Sequence, residues 1–437
     1  MNQSACILER LSVASVALLL GIFGHPAIAQ IDGITGPTFD LTAKEDYIST
    51  ADGNTILAWG YANANGTMQY PGPTLIVNQG DVVTVTLHNA LPPHGADAPL
   101  PVSIVFPGQE GVTAGGGKEG LLTREADIAD NPATPENEAV VTYTFTASRP
   151  GTYLYHAGTR MDLEVEMGLM GALIVRPNSN NQAYGHPDSA FDQEYLFLLS
   201  EMDPTIHRLV EAGRRSEIDT AAYHPVHWFI NGRNNPDTML KAGNETPWLP
   251  TQPYNCLPRM HPGEKLLLRI INGGRDLHPF HHHGNNSWLI ARDGRLLESA
   301  SGTGPDLAVS DYTITTAPGE TYDAIFEWTG KGLGWDIYGH QPGDPLQPNE
   351  YAPDHGKPLP VALPDPQLAV TIGEFWSGSP YLGQFGILPP GAGGKNLNAG
   401  YFHMWHSHTE RELTNDDIFP GGMMTMVIIE PPGVPIP

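Results

Sequence analysis

Short apolar runs, each closed by turn residues, recur along the chain: VVTVTLHN (82–89), AVVTYTFTA (139–147), GALIVRP (171–177), KLLLRIIN (265–272) and TMVIIE (425–430). Alternation of period two sends successive side chains to opposite sheet faces, and β-branched residues fill a pleated surface. Helical periodicity is scarce. The spacing predicts one helix, over TIHRLVEAGRR (205–215), with a glycine near its end. Punctuated by 49 Gly and 41 Pro, the runs predict an all-β fold built from sandwiches.

The pattern also repeats. LIVNQGDVVTVTLHN (75–89) and PRMHPGEKLLLRIIN (258–272) share a Gly followed by an acid, a β run and a final Asn. After a short loop comes SIVFPGQ (103–109) in the first half and HPFHHHG (278–284) in the second. GTYLYHAGTRMDLEVEMGLMGALIV (151–175) then parallels FHMWHSHTERELTNDDIFPGGMMTMVII (402–429). A duplicated β-sandwich accounts for both halves, with one domain over 30–185 and a second over 190–437. Residues 341–397, dense in Pro and Gly, read as a loop excursion without a packed core, inside which AVTIGEFW (369–376) returns briefly to strand.

The first 29 residues fall outside this pattern. Arg10, the apolar stretch LSVASVALLLGIFG and Ala27-Ile28-Ala29 form the three parts of a secretory signal, which predicts a periplasmic or secreted protein. No run reaches the roughly 18 apolar residues of a membrane span. Cleavage leaves Cys256 as the sole cysteine, so no internal disulfide is available. A net charge of −26 argues against nucleic acid or anionic membrane as partner and serves solubility.

The candidate chemistry is histidine. His281 and His283 lie two apart on an expected strand and share a face, with His282 on the other. His406 and His408 repeat the relation. If the duplicated strands lie side by side, four imidazoles converge, a donor set suited to copper, zinc, iron or nickel. His278 is a fifth candidate from the same motif. His282 and His403 face away by alternation, and Met423 and Met424 read as core.

At these residues the chain resembles the multicopper oxidases. YPGPTLIVNQGD (70–81), HPFHHHG (278–284), APGETYDAIFEW (317–328) and WHSH (405–408) carry the resemblance, which spans nearly the whole mature chain. It implies tandem cupredoxin-like Greek-key β-sandwiches, copper as cofactor, a small-molecule reductant, and oxygen as the oxidant. It places His281, His283, His406, His408 and His156 at cluster-copper positions, and His278 where the family ligates its type 1 copper. Three further cluster positions hold Val105, Pro107 and Gly158 instead of histidine. Ser407 stands where a type 1 thiolate would be, or is the ordinary middle residue of a paired-histidine motif. Either way, no blue type 1 copper is expected. Two-domain relatives, copper nitrite reductases among them, build such sites between subunits, so a homotrimer is implied as well. Three readings stay open: an exported copper oxidoreductase with a histidine-only site, a non-catalytic envelope copper-binding protein for sequestration or transfer, and a metal-free scaffold for a protein partner.

Overall fold

The computed structural model describes residues 31–436 apart from 99, 129–137, 180, 241–245, 339, 341–342, 348–349, 359–400 and 431–433. The expected signal segment, most of the 341–397 excursion and the strand expected at 369–376 therefore lie outside the described residues. The apolar runs become strands almost residue for residue, at Val82–Asn89, Val140–Thr146, Met170–Arg176, Lys265–Asn272 and Met424–Ile429. The architecture is all-β, in cupredoxin-like sandwiches. Among the described residues no helix is long and apolar enough to cross a membrane.

Strands up to Arg176 form two five-stranded sheets, beside a two-stranded ribbon of Lys118–Glu119 and Arg124–Glu125. One runs Ile34–Thr35, Gly72–Asn78, Met170–Arg176, Gly151–Ala157, Ile104–Val105. Strands from Gln193 onward build a second sheet pair, and one of its sheets runs Arg259–Met260, Met424–Ile429, Tyr401–Ser407, His278–His282, Thr313–Thr316. The equivalence extends to strand direction. Gly72–Asn78 lies parallel to Met170–Arg176 as Arg259–Met260 lies parallel to Met424–Ile429. In the facing sheets, Thr38–Ser49 is parallel to Val82–Asn89 as Gln193–Met202 is parallel to Lys265–Asn272. The sequence repeat is thus a repeat of topology.

Each sheet pair closes on a buried apolar core. Leu41, Tyr61, Val85, Tyr143 and Leu173 fill the first, and Phe197, Leu268, Phe280, Phe326 and Trp405 the second. A third cluster, including Tyr70, Met170, Phe229 and Ile271, joins residues of both halves. Beside it Arg269, fully buried, contacts Glu194 at 3.0 Å, Asp323 at 3.7 Å and the Thr152 hydroxyl at 3.0 Å. Because a buried charge is costly unless paired, this network ties the first-half strand Gly151–Ala157 to the second half.

The expected helix forms at Pro204–Glu211, shorter than the pattern indicates. Asp203 caps its start by accepting the Thr205 amide at 2.8 Å. Gly213 (φ +66°) ends it, where a Cβ would meet the His94 carbonyl oxygen at 2.6 Å.

Candidate metal centre

The two histidine motifs lie on neighbouring antiparallel strands, His278–His282 and Tyr401–Ser407, with His281 opposite His406 and His282 opposite Trp405. On the other side of His278–His282, His281 pairs with Thr313. His283 and His408 follow the strand ends and are fixed by backbone bonds, the His283 amide to the Met404 carbonyl (3.1 Å) and the His408 amide to that of Pro279 (2.8 Å). Alternation does the rest. His281, His283, His406 and His408 share one face, while His282 turns into the core against Phe326 and Trp405 and bonds the Ser287 hydroxyl. His403 is buried against Trp328.

The four rings are close. Centroids lie 4.8 Å apart for His281–His283 and His281–His408, and 5.2 Å for His283–His406. One ligand nitrogen from each of His281, His283 and His406 falls within a 4.8 Å grouping. The nearest pair is Nε2 of His406 and Nε2 of His283, at 3.2 Å. In His406 and His281 the far ring nitrogen is held by a hydrogen bond. His406 Nδ1 donates to the Ser407 carbonyl at 2.6 Å, so its Nε2 carries a lone pair. His281 Nδ1 bonds the Thr313 hydroxyl at 2.7 Å and leaves its Nε2 for the centre. Such bonds to the far nitrogen orient metal-binding imidazoles.

Burial, reinforced by the neighbouring rings, holds His281 at a pKa of about 4. Burial likewise lowers His406 to about 4, against the raising effect of its bond to Ser407, and lowers His283. His281, His283 and His406 are therefore neutral at pH 7 and present lone pairs, the state a metal requires. Exposed His408 and Tyr312, the latter 5.4 Å from the His281 ring, open the centre to the surface.

Two expected ligands stand elsewhere. His278 is a correction: its Nε2 donates to Glu201 at 2.8 Å and its Nδ1 to Glu412 at 2.9 Å, with the ring fully buried. With both nitrogens donating, it is an imidazolium between two carboxylates and has no lone pair for a metal. His156 lies in a first-half sheet, opposite Val105, with Nδ1 bonded to the adjacent Ala157 carbonyl. Among the described residues no hydrogen bond or ring contact joins it to the four histidines.

The strands around His156 correspond in register to those around His406. The Val105–His156 pair stands where the second half has His281–His406. At Gly158 a Cβ would lie 2.7 Å from Val105 Cγ1, so packing leaves no room for a histidine there. Ser407 is fully buried, and its Oγ accepts the Thr409 amide at 3.1 Å, a turn-forming role. Met423 and Met424 are core. Cys256 is buried with its thiol pushed by burial to about 12, so it supplies no thiolate. Cys256→Ala should accordingly leave metal stoichiometry and visible absorption unchanged, which a metal titration of both proteins checks.

Residues 124–180 match the family model described as "Multicopper oxidase". L-ascorbate oxidase of Cucumis sativus is 29% identical over 180 residues, which cover 40% of this chain and 26% of the relative. The copper-containing nitrite reductase of Alcaligenes xylosoxydans xylosoxydans is 31% identical over 182 residues, 41% of this chain and 46% of the relative. The chain spans about a quarter of the length of the ascorbate oxidases it matches. In fold it is similar to the blue copper oxidase from Nitrosomonas europaea (TM-score 0.53, 21% identity, 89% of this chain and 85% of that one). It is also similar to the multicopper oxidase mgLAC (TM-score 0.55, 20% identity, 92% and 87%). The matched segment, the relatives and the cupredoxin-like sandwiches agree: the chain shares the fold of the multicopper oxidases and is similar to them in sequence over part of its length.

Proposed function

We propose that the chain is an exported copper-dependent oxidoreductase whose copper is held by histidines alone, with no blue type 1 centre. The convergence of the His281, His283 and His406 nitrogens, with no thiolate among them, carries the reading. The residues fit the metal: neutral imidazoles are good copper ligands, and His281 and His406 are oriented through their far nitrogens. When bound, copper supplies one-electron redox chemistry between a small-molecule reductant and a small oxidant such as oxygen. The chain's part is to hold His281, His283 and His406 in place, offer His408 as a fourth donor, and keep one side of the centre open to solvent.

Thr313→Val removes the bond that fixes the His281 ring but no ligand. It should weaken copper binding by about 10- to 100-fold, read by competition with a chelator. Oxygen uptake with a phenolic reductant tests the activity itself: turnover by the copper-loaded chain supports the oxidoreductase, and stoichiometric copper without turnover rejects it. The latter outcome is the alternative, an envelope protein for copper sequestration or transfer. Similarity to copper resistance protein A of Escherichia coli, 24% identical over 74% of this chain and 52% of the relative, favours that second reading. A homotrimer, in which a neighbouring chain supplies further ligands, is part of the same proposal, and sedimentation of the copper-loaded chain decides the oligomeric state.

A further inference from the structure

Beyond the strand Thr321–Glu327 the chain runs through a loop that holds a second group of ionisable side chains: Asp336, His340, Glu350 and His355. Each offers one ligand atom, and the four atoms lie within 4.8 Å of one another. Asp336 Oδ2 is 2.8 Å from His340 Nδ1, which is 3.5 Å from Glu350 Oε1. Glu350 Oε1 is 2.7 Å from His355 Nδ1, and that nitrogen is 3.9 Å from Asp336 Oδ2. Four ligands at about 2.0–2.2 Å from a tetrahedral ion stand roughly 3.3–3.6 Å apart. The four separations straddle that range, so a small inward or outward adjustment at each gives one coordination sphere.

The outer bonds are those of a built site. Glu350 keeps Oε1 inward while Oε2 accepts the Gln347 amide at 2.8 Å. Asp336 keeps Oδ2 inward, where it also takes the Gly356 amide, while Oδ1 accepts the Tyr338 amide at 2.9 Å. His355 turns Nδ1 inward and donates from Nε2 to the Asp344 carbonyl at 3.1 Å. A ligating histidine bonded through its far nitrogen to a carbonyl, and ligating carboxylates themselves hydrogen-bonded, are the outer-sphere pattern of metal centres. Asp336, Glu350 and His340 are nearly buried, with side chains 1%, 4% and 7% exposed. Lys357, the nearby lysine, is engaged by Asp354. Each inward carboxylate oxygen is hydrogen-bonded by an imidazole Nδ1, of His340 or His355, and a divalent cation would replace the two shared protons.

We propose that Asp336, His340, Glu350 and His355 form a second, separate metal site for a divalent cation, with zinc the best match to two imidazole and two carboxylate donors at four-coordinate spacing. The ion staples Asp336 and His340 to Glu350 and His355, and Ile337, packed in the second-half core, anchors that staple to the sandwich. The site is independent of the copper reading. It draws on none of the four clustered histidines.

The test uses the full chain, stripped with a chelator and reloaded with zinc alone. In the triple variant His281→Ala/His283→Ala/His406→Ala, one zinc per chain should remain. X-ray absorption on that variant should give four nitrogen or oxygen neighbours including two imidazoles, and cobalt in place of zinc should give the intense visible bands of a four-coordinate ion. Glu350→Gln/His355→Ala should lose one zinc relative to the unsubstituted chain. A triple variant that holds no zinc, or holds it with an imidazole count other than two, overturns the proposal. So does a folded Glu350→Gln/His355→Ala chain with undiminished zinc. If that variant does not fold, the absorption result on the triple variant decides.

Discussion

His278→Ala is expected to destabilise the fold by about 3–5 kcal/mol, the cost of removing one partner from a buried ion pair. The ring bridges Glu201, on the strand Gln193–Met202, and Glu412, in the turn after His408. Burial alone would push its pKa down, but the hydrogen bonds and charges of the two glutamates outweigh this and hold it at about 10. Glu201 in turn sits below its usual range despite burial, because His278 and the amides of Arg275 and Asp276 stabilise its charge. The pH dependence has a definite sign. A raised histidine pKa contributes stability that is complete below about 6.5 and is lost as pH rises towards 10. Denaturant unfolding at pH 7 and pH 9.5 should therefore show the unsubstituted chain losing stability across the interval and His278→Ala losing less. A variant within about 1 kcal/mol of the parent at pH 7 would refute the buried imidazolium.

His406→Ala should have the converse effect, sparing the fold and abolishing copper binding. The His406 ring bonds the adjacent Ser407 carbonyl and packs against the other rings of the cluster, so its loss leaves no buried charge unpaired. It removes one of three convergent nitrogens, which should weaken copper binding by at least about 100-fold, beyond the range of losing an outer-sphere partner. Isothermal titration with copper, beside thermal unfolding of the same samples, separates the two effects. If copper affinity stays within tenfold, His406 is not a ligand. Oxygen uptake should disappear with the copper.

Much of this was legible in the chain. Strand positions follow from alternating apolar runs, and Val82–Asn89 and Lys265–Asn272 begin and end where the pattern does. The internal repeat also carries register, since Val105–His156 and His281–His406 are equivalent pairs. Alternation then sorts His281 and His283 from His282 correctly. The errors are long-range. His-x-x-His-x-His reads as three ligands, yet the partners of His278 are carboxylates 77 and 134 residues away. Spacing along one motif carries no information about them. The group at Asp336, His340, Glu350 and His355 was missed for another reason: Pro and Gly density marks an excursion but not the hydrogen bonds that fold it back. Two histidines 15 apart, flanked by acids, were the available signal.

In the proposed centre, histidines alone hold the copper. Copper analysis and the visible spectrum of the purified, copper-loaded chain test it most directly. At least one copper per chain, lost in His281→Ala/His283→Ala/His406→Ala and without the intense blue thiolate band, is the predicted result. A chain that binds no copper, or one that binds it and turns blue, would contradict it.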